Sequence, residues 1–493
     1  HVIRYELEVD VRRYPRIEIY DTMTMAKLLD SDLFNYSMSA LAKTWQLGEK
    51  TDDGLQKYLH NTKDYGSIPP DVLEEYAKND IVLTRRLYKY IEQKLPPECR
   101  SVADTERKLT RALFDIECNG LRINPTQVKL TEFAYLTRMH QLQSELEEMV
   151  GHEFIPTSNK QCRELFISHY GLPVLRESES TGAPSFSKDV MKQYMLEPGP
   201  HREVIKKSLE YKSRSTVHGL FLEPWQRMHR DDILHSDYNQ IVRTGRMSCR
   251  NPNAQQLNKD VKRLIIPHVS YKFVSLDYSQ VEFRLIVHYI RDEDAIAAYK
   301  EDPTTDFHQW VADLCGIPRK PAKNVNFAMG YGGGKKKILA MLMSELGDVS
   351  YGEAQYVYDT YHHRLPGVKE MTRFAAAKAR RNGYVKNWYN RRRHLKSEFA
   401  HKSFNSIIQS TASDIAKERI VASSPVFNEQ VRSLGIRQVA TVHDEVLFEV
   451  PLDVNDEQAC TLLKCILEDV CTERPLRVPI LADVHVFTNS WVH

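Results

Sequence analysis

The sequence has no C-x-x-C pair, no internal repeat, almost no net charge and no apolar run approaching the ~18 residues of a membrane span. Its eight cysteines, Cys99, Cys118, Cys162, Cys249, Cys315, Cys460, Cys465 and Cys471, are scattered through apolar or helical-looking stretches. That spacing argues against a zinc site and for buried thiols in a reducing compartment. With no long apolar run and no basic-then-apolar leader, neither a membrane span nor a signal peptide is expected. The 68 Lys and Arg offset 66 Asp and Glu to leave a formal +2, so total charge points to no acidic partner and any basic surface must be local.

What is present is ordinary for a globular chain. Hydrophobic residues make up 42% and charged residues 27% of 493 positions, which excludes disorder and predicts roughly three domains. The chain starts at His1 rather than Met and reads as a fragment. Residues 1–97 read as mixed α/β, closing in a helix from Asp71 to Lys94 that Pro96-Pro97 stops. Residues 98–235 read as helical, with Leu109, Leu113 and Ile116, then Leu142, Leu146 and Met149, at helix spacing. Beyond them, short strand-like runs alternate with long helices.

Charge is patterned even though it sums to little. Arg243, Arg246, Arg250, Lys259, Lys262, Arg263 and Lys272 face only Asp260 in one stretch. Arg373, Lys378, Arg380, Arg381, Lys386, Arg391, Arg392, Arg393 and Lys396 form another, with Tyr384, Trp388 and Tyr389 interleaved. One such run is often a solvated face; two in one half of the chain favour a phosphate backbone as ligand.

Phe273-Val274-Ser275-Leu276 reads as a short buried strand delivering Asp277, after which Val281, Leu285, Ile286 and Tyr289 recur at helix spacing. A carboxylate at the end of a buried strand stands on rigid backbone, where it suits a metal as well as a helix N-cap. The β-rich runs on either side of His443 read as a hairpin presenting Asp444 and Glu445 at its turn. Nothing in the spacing alone brings Asp277 and Asp444 together. Between them, Arg319, Lys323, Phe327 and Tyr331 recur every four residues, and since each such step drifts by about 40° they share one side of a helix. Two cations followed by two aromatics suit a polyphosphate at one end and a stacked base at the other. A snorkelling cationic end over a buried aromatic end is the structural alternative.

Taken together, these segments resemble the family A DNA polymerases, the class of bacterial DNA polymerase I and many phage replicases. Asp277 to Arg284 (DYSQVEFR) is similar to the family's first palm motif, Arg319 to Gly332 (RKPAKNVNFAMGYG) to its fingers motif, and Val442 to Glu445 (VHDE) to its third. Thr244-Gly245-Arg246 with Asn251-Pro252-Asn253 and Gln255 resembles its primer–template segment. The resemblance implies an α/β (α+β) fold, a right-hand polymerase preceded by a partial ribonuclease H-like 3′–5′ exonuclease domain. The implied divisions are exonuclease-like 1–97, thumb 98–240, palm 241–290 and 376–493, and fingers 291–375.

It also implies template-directed addition of dNTPs to a primer 3′-hydroxyl by two-metal phosphoryl transfer. Asp277 and Asp444, with the carbonyl of Tyr278, would hold two Mg²⁺, for which Mn²⁺ can substitute, with Glu445 in support and Lys323 as an acid toward pyrophosphate. Arg319, Lys323 and His308 would bind the triphosphate, while Phe327, Tyr331, Tyr278 and Gln280 line the nucleotide pocket. Glu282 would fill the space of a ribose 2′-hydroxyl. Arg246, Asn405 and Gln409 would test the minor groove of the new pair, with His443, Arg391, Arg392 and Arg393 also on the DNA. The implied partners are primer–template DNA and dNTPs, without a membrane, for a monomer in the cytoplasm of a bacterial or phage-infected cell, or in an organelle.

The first 97 residues depart from the pattern. Tyr76 and Asp80 resemble an exonuclease helix motif, and Tyr20 to Met23 its internal strand, but no D-x-E precedes them and Glu6 stands where Asp is usual, with Val2 in place of Asn. A longer carboxylate moves a metal by on the order of 1 Å, which can cost about a hundredfold in rate. Glu6, Tyr76 and Asp80 therefore read as a vestigial site, with proofreading absent or weak. Two alternatives share parts of this residue set. An RNA polymerase or reverse transcriptase is opposed by Glu282 and the complete VHDE, and an inactive DNA-binding scaffold by Asp277, Asp444, Lys323 and Arg319.

Overall fold

The computed structural model describes residues 19–50, 58, 68–178, 180–347, 349–471 and 474–492. Glu6 and Val2 lie outside the described residues. Helix α1 (Thr22–Leu29) opens this part of the chain, so the strand expected over Tyr20 to Met23 is a helix start. Asp21 explains the difference: its carboxylate accepts from the Met23 backbone N–H at 2.9 Å and from the Thr24 hydroxyl, capping the turn. Helix α2 (Pro70–Lys94) follows the expected span, with Pro70 in its first turn and Leu83, Leu87 and Ile91 buried.

Helix α3 (Arg100–Asn119) buries one stripe, including Leu109, Ala112, Leu113 and Ile116, beneath the central sheet. Helix α4 (Pro125–Val150) starts on an Asn124 cap and a Pro125 first position and ends on Gly151 in the left-handed region. Helix α5 (His201–Val217) packs back on it, joined by the pairs Arg138–Glu210 and Lys207–Glu145.

The central sheet is built from strand β1 (Tyr271–Tyr278), strand β2 (Arg437–Val442), strand β3 (Glu445–Pro451) and strand β4 (Ala482–Phe487). Its order is β4-β1-β3-β2, every pair antiparallel. Lys272 to Leu276 are buried without alternation because both faces of β1 are covered. Val274, Leu276 and Tyr278 join one apolar core, and Phe273 another with Leu447 and Trp491. The register places Asp483, Asp277 and Glu445 in one row across three strands, and since paired residues share a face, the row is a row of carboxylates.

Between β1 and β2 the chain is mostly helical, broken by the antiparallel Tyr384–His394 hairpin. Helix α6 (Val281–Ile290) leaves β1 directly, followed by α7 (Phe307–Cys315), α8 (Arg319–Gly330), α9 (Lys335–Leu346), α10 (Tyr351–Arg364), α11 (Gly367–Asn382) and α12 (Ser403–Ala422). At Gly330 a Cβ would collide with Ile286, so glycine is what lets α8 close on α6. Among the described residues no helix is long and apolar enough to cross a membrane.

Candidate active site

Asp277 ends the buried strand β1, and the turn at His443-Asp444 between β2 and β3 lies against it. The backbone ties the two segments, the Tyr278 N–H donating to the Asp444 carbonyl at 3.4 Å. Burial, then the charges of Asp444, Glu445 and Asp483, push the Asp277 carboxyl up to about 7. Asp444 is also pushed up, mainly by burial. Asp277 Oδ1 is buried without a hydrogen-bond partner among the described residues.

A crowd of carboxylates with an orphaned oxygen is a site that a divalent cation relieves, so the residues fit such an ion. Asp277, Asp444 and the backbone at Tyr278 supply hard oxygen donors. Among the described residues no three His, Cys, Asp or Glu side chains form a ready cage. An ion held here must complete its shell with backbone, water or substrate oxygens, as Mg²⁺ does readily.

The cleft has a volume of about 480 Å³, and its other wall is α8. Arg319, Lys323 and Phe327 line it together with Asp277, Gln280, Glu282, His308, His443, Asp444 and Asp483. The stripe read from four-residue spacing is thus aimed at the carboxylates, with its cations at one end. Arg319 Nε donates to Asp306 Oδ2 at 2.6 Å, and Asp306 also caps α7. His308 is buried; burial first, then Lys323 and Arg319, push it down to about 4, so it is neutral. Its Nδ1 lies 2.9 Å from Asn326 Nδ2, which can only donate, so the ring proton is on Nε2.

At the aromatic end, Glu282 accepts from both Arg246 Nη2 and the Tyr331 hydroxyl. Burial, then Glu282, raise the Tyr331 pKa above its ordinary value. Gln409 on α12 also bonds Tyr331, which places it in the same cluster. Asn405, one turn earlier on α12, carries a buried Oδ1 with no hydrogen-bond partner among the described residues.

Several expectations are corrected by the geometry. Arg391 is not on a DNA track: it is 4% exposed and bonded to Asp414 and Glu106, beside the fully buried Lys417–Glu106 pair at 2.6 Å. The Tyr384–His394 hairpin folds this run against carboxylates from α3 and α12, which local charge counting does not see. Arg392 pairs with Glu98 at 2.6 Å, and Arg393 with Asp32 at 3.6 Å. In the other basic stretch, Lys272 is buried against Asp456 and the Val454 carbonyl. The Tyr278 ring also turns away from the cleft, its hydroxyl donating to the Leu467 carbonyl at 2.9 Å, so only its backbone serves the site.

Glu445 begins β3 and turns beneath the sheet. It accepts from Lys262 Nζ and Trp491 Nε1, both at 2.9 Å, and from the Ser275 hydroxyl. Burial disfavours its charge, but Lys262 and these hydrogen bonds prevail and hold it below the ordinary carboxylate range. Tyr76 and Asp80 stand together on α2, where Lys50 bonds the Tyr76 hydroxyl at 2.9 Å and lies 3.6 Å from Asp80.

Sequence reasoning missed Asp483, Lys262, Trp491 and the structural role of Arg284. Arg284 is wholly buried and donates to the carbonyls of Ser279, Pro303 and Pro479, pinning the strand-to-helix turn that follows Asp277. The signal available for Asp483 was its place as the one acid in the strand-like run Ala482 to Phe487. Only the register sets it opposite Asp277.

Known proteins resemble this chain over most of its length. The model of the family described as DNA polymerase family A matches residues 127–493. DNA polymerase I of Pseudomonas aeruginosa is 28% identical, with 95% of this chain and 53% of that protein aligned. The thermostable DNA polymerase I of Thermus aquaticus is 28% identical over 93% of this chain and 57% of its own length. The chain thus spans about half the length of the curated relatives it matches. A solved structure, the POL domain of Pol1 from M. smegmatis in complex with DNA primer-template and dNTP, shares the fold with a TM-score of 0.75 at 20% identity, covering 96% of this chain and 81% of that one.

Proposed function

This chain belongs to DNA polymerase family A, and from that premise we propose that it extends a DNA primer on a template, joining dNTPs to the 3′-hydroxyl. The observation that carries the reading is the cleft itself, in which Asp277 and Asp444 face Arg319 and Lys323 of α8. Carboxylates on one wall and cations on the other are what transfer of a nucleotidyl group from a triphosphate requires.

Asp277, Asp444 and the Tyr278 carbonyl are the groups that would hold divalent ions, Mg²⁺ or Mn²⁺. Bound there, such ions would favour deprotonation of the primer 3′-hydroxyl and neutralise charge on the triphosphate. Arg319 and Lys323 bind the phosphates from the other side, and Lys323 protonates the departing pyrophosphate. His308 offers its Nε2–H to the same phosphates. Phe327 packs against the incoming sugar and base. Glu282, held by Arg246 and Tyr331, occupies the volume of a ribose 2′-hydroxyl, so a deoxynucleotide fits and a ribonucleotide clashes. Asn405, Gln409 and Arg246 meet the minor groove of the new pair, where acceptors lie at equivalent places for every correct pair.

The proposed divisions are a thumb over 98–240, fingers over 291–375 and a palm from 241–290 and 376–493. In the preceding segment, a lysine against Tyr76 and Asp80 supports a remnant with proofreading absent or weak. Extension of a labelled primer–template with dNTPs and Mg²⁺ tests the reading. Wild type should add nucleotides in template order and Asp277→Ala should not, while unchanged extension by Asp277→Ala defeats it.

A further inference from the structure

A second cavity of about 610 Å³ shares no lining residue with the polymerase cleft. It opens between the end of α6, the face of α11, the Tyr384–His394 hairpin and the segment at Arg474 to Arg477. Arg291, Lys378, Arg474 and Arg477 line it, with Glu370 the single lining carboxylate among the described residues. Arg474 lies over the Trp388 ring at 3.6 Å. The side chains of Arg291, Lys378 and Arg477 form no ion pair among the described residues.

His288 supplies the second observation. It is fully buried on the same lining, and its Nδ1 accepts the Arg477 backbone N–H at 3.1 Å. The neutral ring therefore carries its proton on Nε2, and that atom has no hydrogen-bond partner among the described residues. Burial first, then the charges of Arg477, Arg474 and Arg291, push His288 down to about 3, so the ring is neutral. Excess cations around a buried donor without an acceptor are complementary to an anion with several oxygens. Phe374, 60% exposed on the lining, adds a face for a base, and the volume lies within the range of small-molecule pockets.

We propose that this cavity is a binding site for a nucleoside phosphate, free or at a DNA strand, with the phosphate held by Arg291, Arg477 and Lys378 and the base on Phe374.

The test is calorimetric titration of the full chain in EDTA with AMP, with inorganic phosphate and with a five-residue oligothymidylate, repeated on Arg291→Gln/Arg477→Gln. Removing two charged donors should weaken AMP binding by at least about tenfold, while the melting temperature and primer extension stay near wild type. Lys323→Ala, which alters only the other cleft, should leave AMP affinity within about twofold. AMP bound more tightly than the oligonucleotide identifies a free nucleotide as the ligand, and the reverse order identifies a strand. Absence of binding by all three probes, an affinity untouched by the double substitution, or one abolished by Lys323→Ala overturns the proposal.

Discussion

The indole Nε1 of Trp491 donates to Oε1 of Glu445 at 2.9 Å, fixing the residue next to Asp444. Lys262 completes the arrangement, 2.9 Å from Glu445 and 4.0 Å from the centre of the Trp491 ring. Trp491 is wholly buried, so it orients the turn that presents Asp444 without touching substrate. Trp491→Phe keeps most of the packing and removes the donor. Single-turnover incorporation should slow by about tenfold with the KM for dNTP within about twofold. Equal rates for the two proteins would reduce Trp491 to packing alone.

Lys323 and Arg319 face the carboxylates from the opposite wall. Lys323→Ala should lower kcat/KM for dNTP by roughly 10²–10³, the scale for loss of one preorganised charge-stabilising donor. Arg319 is half exposed and shared with Asp306, so Arg319→Ala should cost less. Steady-state kinetics at saturating primer–template would show the order, and a reversal would mean the roles are misassigned.

Glu282 is clamped by Arg246 and Tyr331. Glu282→Ala should lower discrimination against ribonucleotides by roughly ten- to a hundredfold, the scale of a small steric difference in a pocket. Tyr331→Phe, which frees only one clamp, should lower it less. The measurement is the ratio of kcat/KM for a dNTP and its rNTP, and an unchanged ratio in Glu282→Ala removes the steric assignment.

Arg391→Met should act on stability. It leaves buried Asp414 with only the Asn387 amide and makes buried Glu106 depend on Lys417 and Gln240 alone, a loss on the order of 3–5 kcal/mol in chemical unfolding. The dependence of DNA affinity on salt should keep its slope, because no phosphate contact disappears. A shallower slope without loss of stability would restore Arg391 to the DNA.

The carboxylate crowd makes metal-free stability depend on pH. Asp277 titrates at about 7 in the fold, against about 3.9 in an unfolded chain, so the folded state holds this proton more tightly. Its contribution is complete below about pH 4 and is lost as pH rises through 7. In EDTA, the melting temperature should therefore fall between pH 5 and pH 8 more steeply for wild type than for Asp277→Asn, and Mg²⁺ should restore more at pH 8. Parallel pH curves for the two proteins would contradict the raised Asp277.

Periodicity made the local parts of the site readable. The buried strand before Asp277, the four-residue stripe of α8 and the hairpin around Asp444 all depend on neighbours within a few turns, and each forms where its pattern places it. At the start of α1 the strand implied by the family resemblance gives way to a helix because Asp21 caps its first turn. Arg391 was misread because a run of cations looks the same whether it meets water, phosphate or buried acids.

Local spacing was enough to place an acid at a strand end, an acid at a turn, and cations and aromatics along one helix face. Folding of distant segments was needed to pair β1 with β3 so that Asp483, Asp277 and Glu445 form one row, to close α8 on α6 at Gly330, and to return Trp491 to Glu445. The physical reason is that helix and strand patterns arise from contacts close in sequence. Register, charge pairing and pKa arise from groups far apart in sequence, whose proximity follows from burying two cores against one sheet.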